Sequence, residues 1–266
     1  MKLAIIGTGN MGKAILAGIL AEGVFDAKDI NVCDVRKEAV DHVCETYKTN
    51  GFTAASEAVK DCDYVLMAVK PIHFDAALDS VKDSLKQGVI VLSIAAAVKC
   101  DRIRSILGES IKFVRIMPNT PAQVQCGVCA VCPVGLDEDE VEYVKKIFGS
   151  CGEVIVCDEK TLDAIGCVSG TGPAYVMLFI EAMADAAVSL GIKRDDALKI
   201  AAGTVMGSGQ LCLKTGLHPG VLKDQVCSPG GTTIAGVMAL EECGLRNAVI
   251  KSVLAADEKT KQMAKG

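Results

Sequence analysis

Lys2-Leu3-Ala4-Ile5-Ile6-Gly7-Thr8-Gly9-Asn10-Met11-Gly12 stands near the start of the chain, and its reading decides how everything after it is read. Leu3 to Ile6 form a short unbroken apolar run, the pattern of a strand covered on both faces. Gly7, Gly9 and Gly12 follow in GxGxxG spacing, and Met11–Ala21 continues with helical periodicity. Alone the glycine spacing is weak. Between a strand and a helix it marks a dinucleotide site, against the plainer alternative of a bare glycine turn. Gly7 permits the tight turn, Gly9 lets the main chain approach a pyrophosphate, and Gly12 lets the helix pack closely on the sheet. The helix start adds unpaired N–H groups and positive partial charge for the phosphates.

The same alternation continues to about residue 157. KLAII, INVCD, YVLMAV, GVIVLSIA, KFVRIMP, GVCAVCPV and EVIVC read as strands. Met11–Ala21, Arg36–Tyr47, Phe74–Lys86, Cys100–Leu107 and Asp137–Phe148 read as the helices between them. This predicts an α/β fold, a Rossmann-type mostly parallel sheet over residues 1–157. An all-helical domain, 158–266, follows, with helices over Pro173–Leu190, Asp195–Lys214, Thr232–Glu242 and Arg246–Met263. Pro173–Leu190 is apolar almost all round, and its neighbours are too poor in aromatic residues to cover it. A second copy of the chain is expected to pack there, with Gly203 and Gly207 admitting a close helix.

Cys126, Cys129 and Cys132 in QCGVCAVCP have the look of a metal cluster. A strand is the better reading of 128–134, and in a strand residues three apart point to opposite faces. No metal is expected. Thirteen cysteines in all, an odd number without an export signal, suit free thiols in a reducing, cytoplasmic setting. A net charge of −5 argues against nucleic acid. Glu181 and Asp185, inside the most apolar helix, argue against a membrane span.

Asp34 ends the second strand, where a carboxylate can accept from ribose hydroxyls of NAD, whereas Arg36 could grip a 2′-phosphate. The acid at the strand tip tilts the reading to NADH. Ala68-Val69-Lys70-Pro71 and Met117-Pro118-Asn119-Thr120-Pro121 should lie at carboxyl ends of strands, where open parallel sheets bind ligands. The two prolines hold the Asn119 amide in place, as a substrate contact or as part of a stiff connector. In the helical half, Ser228-Pro229-Gly230-Gly231 is a turn and Thr232-Thr233 opens a helix. Consecutive N–H groups and two hydroxyls make a nest for a small carboxylate, beyond what a plain helix cap requires.

SPGGTTIAG (228–236), the upstream Gly170-Thr171-Gly172-Pro173-Ala174-Tyr175, the AVKP and MPNTP loops and GTGNMG together resemble the pyrroline-5-carboxylate reductases, along essentially the whole chain. The resemblance implies NAD(P)H-dependent reduction of 1-pyrroline-5-carboxylate to L-proline, the last step of proline synthesis. It implies a Rossmann domain and a helical dimerisation domain, with dimers that sometimes assemble into larger rings. Ile6, Gly7, Thr8, Gly9, Asn10, Met11, Asp34, Arg36, Ala68, Val69, Lys70, Pro71, Ile94, Ala95 and Ala96 would then line the cofactor. Ser228, Gly230, Gly231, Thr232 and Thr233 would hold the substrate carboxylate and ring nitrogen, with Gln225 a weaker candidate. Asp34 departs from the more NADPH-like polar sequence that many members carry there.

The β-hydroxyacid dehydrogenases share the layout and are the alternative. They use a lysine on the first long helix as acid and base. Here no lysine, arginine or histidine occurs between Lys160 and Lys193, and Val176 stands at that place. A cyclic imine can arrive already protonated, so Thr233 at its nitrogen is the catalytic candidate.

Overall fold

Each apolar run of the first half becomes a strand of one sheet. The computed structural model describes Met1–Met263; residues 264–266, the end of the Lys-bearing tail, lie outside the described residues. In chain order come β1 (Leu3–Ile6), α1 (Asn10–Ala21), β2 (Ile30–Cys33), α2 (Lys37–Tyr47), β3 (Asn50–Phe52), α3 (Ala55–Ala58), β4 (Tyr64–Met67) and α4 (Pro71–Lys82). Then follow β5 (Ile90–Ser93), α5 (Cys100–Leu107), β6 (Lys112–Met117), β7 (Gly127–Val134), α6 (Glu138–Gly149), β8 (Gly152–Val156) and α7 (Glu159–Ile165). The sheet runs β3-β2-β1-β4-β5-β6-β7-β8, parallel except between β6 and β7. Those two are joined by a short connection, which only an antiparallel pair allows.

Alternate strand residues feed two apolar layers. Leu3, Ile5, Val32, Leu66 and Leu92 face Ile15, Ile19, Val40 and Ile147 of α1, α2 and α6. Ala4, Ile6, Val65, Met67 and Val91 face Phe74, Leu78, Ile103 and Leu162 of α4, α5 and α7. A fully buried Leu, Ile or Val side chain contributes roughly 1.5–3 kcal/mol, so β1 alone is a strong anchor. Cys129 of β7 falls in the first layer and Cys132 in the second, as the strand reading requires; one ion cannot reach both.

Three departures from the sequence reading have local causes. β3 was not anticipated: it is a three-residue edge strand, mostly exposed, and Gly51 in it lets Val40 and Cys44 of α2 approach closely. α4 begins at Pro71, not Phe74, because proline at the first helical position is pre-set for the helix, and it ends at Lys82. The unpredicted α7 is capped by Asp158, whose Oδ1 accepts from the Thr161 N–H at 2.7 Å.

The chain divides into two compact units, Met1–Gly170 with Lys259 onward, and Thr171–Glu258. α7, read as part of the helical half, lies with the sheet unit, as does the single π-turn Gly166–Gly170 that follows it. The second unit holds α8 (Gly172–Ser189), α9 (Arg194–Thr215), α10 (Pro219–Val226), α11 (Thr232–Glu242) and most of α12 (Leu245–Met263). Its buried residues among those described are Ala184, Ala197 and Ala201, where α8 meets α9. Val176, Met177, Leu178 and Phe179 of α8 are exposed on the single chain. The helical run Glu159–Ser189 is long and apolar enough to cross a membrane by length and composition. Glu181 and Asp185 lie within it, and Asp185 accepts from Nη1 of Arg194 at 2.6 Å.

Candidate active site

The glycine-rich turn takes its shape from what lies against it. Gly7 has φ 104°, and a Cβ there would sit 2.6 Å from the Ala68 carbonyl oxygen. A Cβ on Gly12 would meet the Gly7 carbonyl oxygen at 2.5 Å. At Gly9 a Cβ would meet nothing within 4 Å, so the main chain of this residue is open to a ligand. Gly9 is also the N-cap of α1 and brings no capping side chain, leaving the first N–H groups of the helix without an intrahelical acceptor. Two closed positions around an open one, at a helix N-terminus, fit a dinucleotide pyrophosphate.

Strand order brings the other expected cofactor residues to the same edge. β1 lies between β2 and β4, so its end is the point where the order reverses. Ile6 is buried at that end, and the Ala68 N–H donates to its carbonyl at 2.8 Å. Ala68, Val69, Lys70 and Pro71 follow β4, with Lys70 exposed as the N-cap of α4. Ile94, Ala95 and Ala96 follow β5; Ala95 points into the core, so only its main chain can serve a ligand, while Ala96 is exposed. Ala97, next in this loop, has φ 64°. That left-handed conformation costs a residue with a Cβ about 1–2 kcal/mol.

Asp34 is tied into the protein more tightly than the sequence shows. Its Oδ2 accepts from the Thr8 N–H (3.0 Å) and the Thr8 hydroxyl (2.8 Å). Its Oδ1 accepts from the Arg36 N–H (3.1 Å) and Nε (3.3 Å). Burial pushes the Asp34 carboxyl up, but the bonds from Thr8 and Arg36 outweigh it and hold the pKa at about 2. A carboxylate offers about four acceptor positions, and all four are filled. A ribose hydroxyl could bind only by displacing a partner, the Arg36 Nε being the longest bond. The Arg36 side chain is two-thirds exposed.

Asn119 is buried and engaged at both ends of its amide. Its Oδ1 accepts from the Val128 N–H at 2.9 Å and its Nδ2 donates to the Ser169 carbonyl at 3.0 Å. It clasps β7 to the π-turn, and a substrate contact would have to use the remaining amide hydrogen or oxygen lone pair.

In the helical unit, the Gly231 N–H donates to the Ser228 carbonyl at 3.0 Å and closes the turn. Gly230 has φ 66°, and a Cβ on Gly231 would lie 2.8 Å from the Ser228 Oγ. Gly231 is the N-cap of α11, with no side-chain cap. The N–H groups of the first helical turn are therefore unclaimed by the helix. Thr232 and Thr233 are exposed, so neither hydroxyl is spent on capping this helix. Gln225 is exposed near the end of α10. Unclaimed N–H groups with two spare hydroxyls beside them have the chemistry to receive a small anion.

Comparison with known proteins matches both units. The family model for pyrroline-5-carboxylate reductase dimerisation covers residues 159–263. The Escherichia coli K12 pyrroline-5-carboxylate reductase is 44% identical over 265 residues, 99% of this chain and 98% of that protein. The chain belongs to the pyrroline-5-carboxylate reductases. Residues 2–97 of this reductase also match the model for F420-dependent NADP oxidoreductases. A solved reductase from Coxiella burnetii superposes with TM-score 0.93 at 31% identity, over 98% of this chain and 97% of that one. Another, the Plasmodium falciparum pyrroline carboxylate reductase with NADP bound, gives TM-score 0.87 at 31% identity, over 99% and 98%.

Proposed function

We propose that this chain reduces 1-pyrroline-5-carboxylate to L-proline with NAD(P)H. The observation that carries the reading is the start of α11, an uncapped helix end with two spare threonine hydroxyls, in a chain of this family. The N–H groups at Thr232 and Thr233 take the substrate carboxylate, and the Ser228–Gly231 turn fixes their direction. Thr233 Oγ bonds to the ring nitrogen. Held through its pyrophosphate at the glycine-rich turn, NAD(P)H would supply the hydride. The imine carbon receives it, and the nitrogen already carries its proton, so orientation is the main demand on the protein. Absorbance loss of NADH, and separately NADPH, with the imine added tests the reaction. Thr233→Ala should lower turnover about tenfold to a hundredfold with cofactor binding kept. Unchanged turnover would remove Thr233 from the chemistry.

The hydroxyacid dehydrogenase reading is not favoured, because the first long helix lacks the lysine that those enzymes use as acid and base. A protein that only senses the cofactor would bind NADH without oxidising it when the imine is added.

Both cofactors serve in this proposal. The acid at the β2 tip speaks for NADH, yet its acceptor positions are filled, and a 2′-phosphate could meet the exposed Arg36 guanidinium without breaking the Asp34 bonds. Arg36→Ala should weaken NADPH binding about tenfold and leave NADH within about threefold, a split that titrating the two cofactors would read. The exposed apolar faces of α8 and its neighbours are covered by a second copy of the chain, and sedimentation tests whether the dimers assemble into larger rings. Thirteen free thiols fit a reducing, cytoplasmic setting.

A further inference from the structure

Arg115 is a charged residue in the middle of β6, 2% exposed, within the apolar layer that α5 and α7 cover. Its Nη1 donates to Oε1 of Glu159 (3.0 Å) and its Nη2 to Oδ1 of Asp163 (2.7 Å), both on α7. Replacing a buried ion pair with well-packed apolar side chains is often neutral or stabilising, so sealing this face does not by itself call for an arginine.

The contacts show what it touches. The strand partner of Arg115 is Ser93, the last residue of β5 and the one before the loop Ile94–Lys99. Oε1 of Glu159 also accepts from the N–H of Cys100, the first residue of α5 and the one after that loop, at 2.7 Å. Asp163 Oδ2 lies 3.9 Å from Nζ of Lys99, the last loop residue. One buried guanidinium thus neighbours the entry to the loop through the sheet, and holds its exit through two carboxylates. Between these fixed ends stands Ala97, in a backbone conformation that a Cβ disfavours. Strain of this kind persists only where the surroundings enforce it.

We infer that Arg115, Glu159 and Asp163 are positioning residues for the cofactor: they hold the Ile94–Lys99 loop in its left-handed conformation at Ala97, ready to receive NAD(P)H. The inference rests on the reading of Ile94 to Ala96 as cofactor-lining. With the clamp weakened, Ala97 relaxes and the competent fraction of the loop falls, and apparent affinity falls by that fraction.

The test is a fluorescence titration of NADPH on the full-length chain, with a melting curve for every variant. Glu159→Gln keeps an acceptor for the Cys100 N–H but gives up the charge opposite Arg115, and should raise the NADPH Kd about fivefold. The double variant Glu159→Gln with Ala97→Gly should return to within about twofold of Ala97→Gly alone, because glycine holds the left-handed shape without a clamp. A purely structural role predicts a lower melting point with no such recovery, and would overturn the inference. If Glu159→Gln folds poorly, Ala97→Val reads the same balance from the loop side and should raise the Kd at least about tenfold. An unchanged Kd in Ala97→Val, or in well-folded Glu159→Gln, would overturn the clamp while leaving the reductase reading intact. Failure of the unaltered chain to bind NADPH would bring down the cofactor reading and the clamp with it.

Discussion

The sheet unit and the helical unit solve the same problem, apolar residues in water, in different ways. In the sheet unit nearly every Val, Ile and Leu of the strands finds a place in one of two layers, and β1 is buried along its whole length. In the helical unit three alanines are the buried residues among those described, while Leu178, Met206, Leu213, Met238 and Ile250 are each more than half exposed. Apolar patches of this extent mark interaction surfaces. One unit carries its own core; the other carries half of one. The family model that matches it is named for dimerisation.

The most forceful way to break that contrast is Leu178→Asp on α8. A charge there should turn the dimer into monomer or aggregate and lower turnover about a hundredfold or more, read by sedimentation beside the NADPH assay. A variant that stays dimeric and active would place the shared face elsewhere. Within the sheet unit the effects should be local and sharply graded. Gly7→Ala and Gly12→Ala drive a methyl into backbone atoms and should cost about 2–4 kcal/mol in a melting experiment. Gly9→Ala meets open space. It should keep its stability within about 0.5 kcal/mol and lose cofactor affinity alone. Equal melting losses at Gly9 and Gly7 would undo this account of the turn.

Asp34 gives a smaller effect than Gly7 or Gly12, and the sharpest. Its folded pKa of about 2 lies below the ordinary 3.8, so the carboxylate contributes stability that is fully present above pH about 4 and disappears as the pH falls through 2. Asp34→Asn should therefore lose on the order of 1–2 kcal/mol at neutral pH, with the gap from the unaltered chain closing between pH about 4 and 2. A gap that stays constant through that range would mean the ionised form is not the stabilising one.

What the sequence disclosed follows from the range of the forces involved. Strands buried on both faces write themselves as apolar runs, and the glycine turn is a local geometric demand, so both were legible. β3 and α10 were not: each is short, largely exposed and without periodicity. The hydrogen bonds that shape the site join residues far apart in the chain. Thr8 and Asp34 are 26 positions apart, and Arg115 is 44 from Glu159 and 48 from Asp163. No local pattern encodes such pairs. A signal for the last was nonetheless present: one cation inside the apolar run KFVRIMP, which in a two-faced strand must find a counter-charge. The filled acceptor positions of Asp34 were beyond sequence reading altogether, since a carboxylate at a strand tip looks the same whether it is free or engaged.

The absence of any lysine, arginine or histidine between Lys160 and Lys193 reaches beyond the reaction centre. An enzyme whose substrate brings the proton with it hands control of its working range to the molecule it consumes. Near neutrality its output would follow the fraction of imine that arrives cationic, falling as the surrounding fluid turns alkaline, and the catalyst itself would be nearly deaf to the change.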